Sequence, residues 1–174
     1  SGTADEDGSV VITLSGSDVD GDNLTFSAGS ALNGSVSLDG TLVTYTPDEN
    51  YFGDDSFTFT VSDGTEDDTA TVSLTVNAVN DAPVLSQVSD VSFDEDGSGS
   101  TSLSADDVDG DDLTFSITGG DSITATLDGS SVSFGAPADY NGSEVFVVSV
   151  DDGETSDSQT LNVTVNAVND APVA

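Results

Sequence analysis

The chain has 174 residues, 34 of them acidic, and no Lys, Arg, His or Cys, for a formal net charge of −34. With no cationic side chain to neutralise phosphates or attract anionic lipid, nucleic-acid binding and direct membrane insertion are excluded. Disulfides, thiol chemistry and Lys-dependent isopeptide staples are excluded too. The counter-charge must come from solvent cations, and a ligand set made of carboxylates and carbonyls suits hard ions, calcium above all.

The acids stand in short clusters beside Gly rather than scattered along strand faces, which favours specific cation sites over a merely salt-tolerant surface. High charge is also a signature of disorder, but alternating β-branched segments and regular turn signals oppose it. No apolar run is long enough to span a membrane.

An ungapped internal repeat organises the chain. Asp5-Glu6-Asp7-Gly8-Ser9 returns at Asp94, 89 positions later. Asp18-Val19-Asp20-Gly21-Asp22 returns from Asp107 to Asp111, and Leu38-Asp39-Gly40 from Leu127 to Gly129. Asn77 to Val84 returns whole at Asn166 to Val173, always at the same offset. The domains are read as 1–81, with strand A incomplete, and 82–174, which includes a following linker; the chain reads as a window on a longer array.

Within a repeat the periodicity is two, never helical. In repeat 2 the predicted strands are A over Val84 to Phe93, B over Ser98 to Ala105 and C over Asp112 to Thr118. Then follow D over Ile123 to Leu127, E over Ser131 to Gly135, F over Glu144 to Val150 and G over Ser158 to Val168. Asp128-Gly129 is a tight-hairpin signal. Seven short strands in a unit of 89 residues predict an all-β fold, two tandem immunoglobulin-like Greek-key β-sandwiches. Phe26, Tyr45, Phe57, Phe59 and Val61 are the predicted core of repeat 1; Phe115, Phe134, Phe146, Val148 and Val150 are that of repeat 2.

Strand direction assigns each acidic cluster to an end. If A runs down, the B–C and F–G loops lie at the top, and the A–B turn, the E–F loop and the end of G lie at the bottom. Asp107, Asp109, Asp111 and Asp152 are therefore expected at the top of repeat 2. Glu6, Asp54 and Asp55 are expected at the bottom of repeat 1, where the chain leaves through Asn80 and Asp81. Facing carboxylates repel unless a cation joins them. Asp-x-Asp-Gly-Asp also begins an EF-hand loop, but here it leads straight into a strand, without the twelfth-position Glu or flanking helices. Asp18, Asp20, Asp22 and Asp63 form the equivalent half-site on repeat 1; Glu95, Glu144, Asn169 and Asp170 form that at the bottom of repeat 2. Both half-sites are expected to bind weakly.

The linker Asn-Asp-Ala-Pro-Val, the Asp-Glu-Asp-Gly turn, Asp-x-Asp-Gly-Asp and Val-Ser-Asp-Gly together resemble the cadherin-like tandem repeats of large bacterial extracellular calcium-binding adhesins of the RTX type. The resemblance implies Ca2+ at the repeat junction. Glu6, Asp54, Asp55, Asn80, Asp81, Asp107, Asp109 and Asp152 match the cadherin ligand positions, and the role implied is a calcium-rigidified spacer in a cell-surface or biofilm-matrix protein. The linker departs from the cadherin pattern at Asn77 and Val79, which leaves the number of ions per junction open.

The expected partners are neighbouring repeats of the same chain, with other copies of the chain or a surface glycan as alternatives. Rival functions are a filament subunit that assembles by strand exchange and a glycan- or ice-binding module. No catalytic residue is assigned: carboxylates are the only acid–base groups, and a small sandwich offers no evident cleft.

Overall fold

A computed structural model describes residues 1–172. They form β-strands connected by turns and loops, with no helix among them. They divide into two compact units, Ser1–Val79 and the residues from Asn80 on.

In the first unit the strands are β1 (Gly2–Asp5), β2 (Val10–Thr13), β3 (Thr25–Ala28), β4 (Gly34–Asp39), β5 (Leu42–Pro47), β6 (Gly53–Ser62) and β7 (Asp67–Asn77). One sheet has the order β1-β7-β6-β3 and the other β2-β5-β4. β1 runs parallel to β7, and the other pairs are antiparallel. Leu14, Val43, Tyr45, Phe57, Val72, Leu74 and Val76 are buried between the sheets. Their alternation with exposed polar residues along β5 and β7 is the period-two signal that placed them inside.

The second unit holds β8 (Val84–Leu85), β9 (Val91–Asp94), β10 (Ser98–Ser102), β11 (Ala105–Asp106), β12 (Thr114–Gly119), β13 (Thr124–Asp128), β14 (Ser131–Gly135), β15 (Gly142–Asp151) and β16 (Ser156–Asn166). Its sheets are β9-β16-β15-β12 and β10-β14-β13, with a short β8-β11 pair. The buried core is larger than that of the first unit and includes Leu85, Ile123, Val132, Phe134, Phe146, Val148, Val150, Leu161 and Val163. Phe134 and Phe146 meet edge to face with ring centroids 5.3 Å apart, the arrangement aromatic quadrupoles favour.

Three sequence expectations change in detail. The predicted strand A is two strands: β8 pairs antiparallel with β11, and β9 pairs parallel with β16. A strand that changes sheets must satisfy its backbone in between, and side chains do so here. Gln159 accepts from Val88 N–H (3.1 Å) and donates to the carbonyl of Leu85 (2.7 Å), while Asp90 accepts from Asn162 N–H (2.8 Å). Strand B is likewise split, into β10 and β11. The hairpin turn sits one residue later than the Asp-Gly signal implied. Asp128 pairs with Ser131, so the loop is Gly129-Ser130, with Gly129 at φ 60° and glycine first in the turn. Of the predicted core, Tyr45, Phe57, Phe134, Phe146, Val148 and Val150 are buried, whereas Phe26, Phe59, Val61 and Phe115 are half-buried.

Candidate metal centre

The loop between β11 and β12 curls on its first acid. Asp107 Oδ1 accepts from Gly110 N–H (2.9 Å) and Asp111 N–H (3.1 Å), and Gly110 at φ 78° makes the turn that aims both amides back. The curl brings carboxylate oxygens of Asp107, Asp109 and Asp111 within 4.8 Å of one another. Asp107 Oδ2 is buried with no hydrogen-bond partner, an arrangement that is costly unless something positive meets it. Burial and the neighbouring charges of Asp107, Asp109, Asp152 and Asp112 push the Asp111 carboxyl above its ordinary range. No Lys, Arg or His exists to relieve this repulsion.

The residues that enter the second unit close the same loop cluster. Asp81 N–H donates to Asp109 Oδ2 (2.7 Å). The Asn80 amide donates to Asp152 Oδ2 (3.0 Å) and to Thr155 Oγ1 (3.2 Å). Asp152 also accepts from Thr155 N–H (2.6 Å) and Glu154 N–H (2.7 Å) through Oδ1. The Thr155 N–H, the Asn80 amide and the Glu154 N–H hold Asp152 far below the usual carboxylate range, so it is ionised. The structure thus gathers Asn80, Asp81, Asp107, Asp109, Asp111 and Asp152 at one end of the second unit. Thr155 belongs with them and was missed. Its signal is the Asp-x-x-Thr spacing, in which an acid caps the N–H groups that follow it.

In the first unit Glu6 is 2% exposed. Its Oε1 accepts from Val79 N–H (2.6 Å), its own N–H donates to the Asn77 carbonyl (3.1 Å), and its Oε2 is buried without a partner. The second unit repeats the device: Glu95 accepts from Val168 N–H (2.5 Å), and its N–H donates to the Asn166 carbonyl (2.9 Å). A buried acid at the turn after the first G-paired strand therefore holds the chain as it leaves the last strand. Asp54 is exposed on β6, within 3.4 Å of Thr75 Oγ1.

Asp55 is turned the other way. Its Oδ1 accepts from Leu32 N–H (3.3 Å) and Ser56 N–H (2.8 Å), and its Oδ2 from Asn33 N–H (3.0 Å) and the Tyr45 hydroxyl (2.9 Å). Burial opposes its ionisation. The Ser56 and Asn33 N–H groups, the Tyr45 hydroxyl and the Leu32 N–H outweigh that and hold its carboxyl below the ordinary range. Burial and the same contact raise the Tyr45 hydroxyl well above its ordinary value. Glu144, the counterpart of Asp55 in the repeat, accepts from the N–H groups of Asp121 (2.8 Å), Ser122 (2.9 Å) and Ile123 (3.0 Å) and from the Tyr140 hydroxyl (3.1 Å). In each unit this acid latches the loop between the third and fourth strands of the Greek key.

The identical Asp-x-Asp-Gly-Asp loop of the first unit is more open. Asp18 Oδ1 accepts from Asp20 N–H (2.8 Å) and Asp22 N–H (3.0 Å), but Asp20 is exposed where Asp109 is half-buried. Asp63 accepts from Thr65 N–H (2.7 Å) and Glu66 N–H (2.8 Å); the Glu66 and Thr65 N–H groups lower its carboxyl. A second group of acids with oxygens within 4.8 Å of one another is Asp96, Asp139 and Asp170, all exposed.

The fold and its repeat define a pair of bacterial immunoglobulin-like domains: the bacterial Ig domain family matches residues 1–75 and again 80–164, and the chain belongs to that family. No curated protein matches it significantly. Among solved structures, the EC1-2 segment of human protocadherin-24 (form II) is similar, at 20% identity, over 96% of this chain and 95% of that one, with a TM-score of 0.64. A further EC1-2 structure of human protocadherin-24 gives 16% identity, 97% and 94% coverage and a TM-score of 0.53. These likenesses show the cadherin-like sandwich fold. The endo-fucoidan hydrolase MfFcnA4 of glycoside hydrolase family 107 is 26% identical over 96% of this chain, with a TM-score of 0.40, and this chain spans 27% of its length.

Proposed function

We propose that the chain is a non-catalytic spacer segment of an extracellular bacterial adhesin or biofilm-matrix protein of the RTX type, and that bound calcium makes it rigid. The observation that carries the reading is the convergence of Asp107, Asp109 and Asp111 around the buried, unpartnered Asp107 Oδ2. All-oxygen donors in an irregular cluster, with ionised Asp152 tied to the same loops, fit calcium, which accepts six to eight oxygens without strict geometry. Asp107, Asp109 and Asp111 would hold the ion, with Asp152, Asn80 and Asp81 beside them. In the first unit Glu6 keeps a buried, unpartnered oxygen and Asp54 is exposed. Asp55 serves its loop instead.

Chain connectivity turns binding into stiffness. Glu6 fixes Val79 to the first unit. The next two residues, Asn80 and Asp81, are fixed to Asp152 and Asp109 of the second. An ion that neutralises the aspartates would hold the second set of bonds in place, and that would stiffen the connection. Extracellular calcium modules bind at about 10⁻⁴–10⁻³ M. Isothermal titration should show binding in that range for the chain and its loss in Asp107→Asn. Equal heats in both would remove Asp107 from the site and, with it, this reading.

A further inference from the structure

The two units share a frame and differ in what one part of it displays. Tyr51, Gly53 and Asp55 recur as the aligned Tyr140, Gly142 and Glu144. The exposed residues around them do not recur: Leu32, Phe52, Asp54 and Ser56 stand where the second unit has Asp121, Asn141, Ser143 and Val145. Phe52 is the only exposed aromatic among the described residues, at 54%, and Leu32 is 86% exposed.

Leu32, Asn33, Asp54, Ser56, Ser73 and Thr75 line an open cleft of about 490 Å³, a volume in the range of small-molecule sites. The register of β6 and β7 sets Asp54 opposite Thr75 and Ser56 opposite Ser73. All four are exposed, so a carboxylate and three hydroxyls form two adjacent rows on one face of the sheet. Thr75 Oγ1 lies 3.4 Å from Asp54 Oδ1. Two residues before Asp54 comes Phe52. Its segment is held on both sides: Tyr51 N–H donates to the Asp48 carbonyl (3.1 Å), and the Tyr51 hydroxyl donates to the Asp54 carbonyl (2.7 Å). The wall that carries Leu32 and Asn33 is held by the Asp55 latch, which accepts from both of their N–H groups. Groups fixed in advance lose little freedom when a ligand arrives.

We propose that this cleft binds a neutral glycan, with Phe52 covering the C–H face of one sugar ring and Asp54, Ser56, Ser73 and Thr75 meeting its hydroxyls. A sugar ring presents an apolar face and a polar rim, and the cleft offers a partner for each. The aromatic ring and Leu32 take the apolar face, and the carboxylate accepts a charge-assisted hydrogen bond from a hydroxyl. A sulfated or uronic glycan would be repelled by the net charge of −34. A cationic peptide is favoured less here than at the Asp107 cluster, because Asp54 is a single exposed carboxylate among hydroxyls while that cluster draws three together. In the second unit the matching row is closed on itself, since the Ser143 and Thr164 hydroxyls bond each other at 2.9 Å, and Asn141 stands in place of the aromatic. The site therefore belongs to the first unit alone.

Nuclear magnetic resonance of the isotope-labelled chain, titrated in chelator so that bound calcium plays no part, tests this. The probes are maltotetraose, cellotetraose, mannotetraose and galactotetraose, with tetragalacturonate and tetralysine beside them. The expected result is that at least one neutral tetrasaccharide gives saturable shifts at the amides of Leu32, Phe52, Asp54, Ser56, Ser73 and Thr75, with a midpoint of about 1 mM, and that the uronate gives none. Phe52→Ala should weaken binding about tenfold while Phe52→Tyr retains it. Asp54→Ser, which installs the residue of the second unit, should also weaken it about tenfold. Both positions are exposed, and circular dichroism should show every variant folded. No shift from any neutral sugar, undiminished binding in Phe52→Ala, or shifts centred on the second unit would each overturn the proposal. A stronger response of the same amides to tetralysine than to any sugar would overturn it in favour of a cationic ligand.

Discussion

Replacing Asp55 with Asn tests the loop latch, whose energetics follow from its bonds. The carboxylate accepts four hydrogen bonds, two on each oxygen, three of them from backbone N–H groups. An amide keeps one accepting oxygen, so at least one backbone N–H loses its partner whichever way it faces. Bonds to a charged group contribute roughly 1.5–3 kcal/mol each when sheltered. Asp55 is half-buried, and solvent screening reduces the loss to about 1–2 kcal/mol. In a unit of this size that is a fall of about 5–10 °C in the melting temperature of the first unit. The pH dependence follows from the lowered folded-state carboxyl. Ionised Asp55 stabilises the fold above its unfolded value of 3.8, and that contribution is lost as pH falls through the lower folded-state value. Scanning calorimetry of both proteins should show the full gap near neutrality and a closing gap in acid. A gap below about 2 °C, or one that is the same in strong acid, would refute the latch.

Glu144→Gln should act on the second unit in the same way: Glu144's carboxyl is held low despite burial by the Ser122, Ile123 and Asp121 N–H groups and the Tyr140 hydroxyl, so the transition of that unit alone should fall, again less in acid. Gly120→Ala should destabilise the second unit by about 2 kcal/mol or more, because an added Cβ would run into the Ile123 carbonyl at φ 75°; a melting temperature equal to that of the parent chain would contradict the tight approach. Glu6→Gln should speed hydrogen exchange at Val79, whose N–H now donates to the carboxylate, and leave the strand amides of β6 and β7 protected. The half-site of Asp18, Asp20, Asp22 and Asp63 should bind calcium more weakly than the Asp107 cluster, seen as two separable steps in a titration followed by amide signals; one step of equal affinity would contradict it.

Strands and core were legible in the sequence because a half-buried sheet leaves a period-two trace, plain in Val43 and Tyr45 or in Val148 and Val150. The division of strand A was less visible, although its trace is there. Leu85, Val91 and Phe93 share one parity and Val88 breaks it, which marks the point where the chain leaves one sheet for the other. Two copies of Asp-Val-Asp-Gly-Asp look alike in sequence, yet only the second draws its acids together. In the second unit the loop is held by Asp81 N–H and the Asn80 amide, partners outside the motif. Asp55 and Glu144 were legible as acids near the E–F corner but not as latches. Which way a carboxylate turns depends on where the C–D loop presents its N–H groups, and a strand pattern does not encode that.

The central claim is that calcium removes the freedom of the connection at Asn80 and Asp81. Small-angle scattering of the chain in calcium and in chelator, beside Asp109→Ala, measures it most directly. The expected result is a longer, narrower distance distribution in calcium for the parent chain, with most of that difference gone in Asp109→Ala while circular dichroism shows both sandwiches folded. A distribution unchanged on chelation, from protein shown by metal analysis to have lost its calcium, would contradict it.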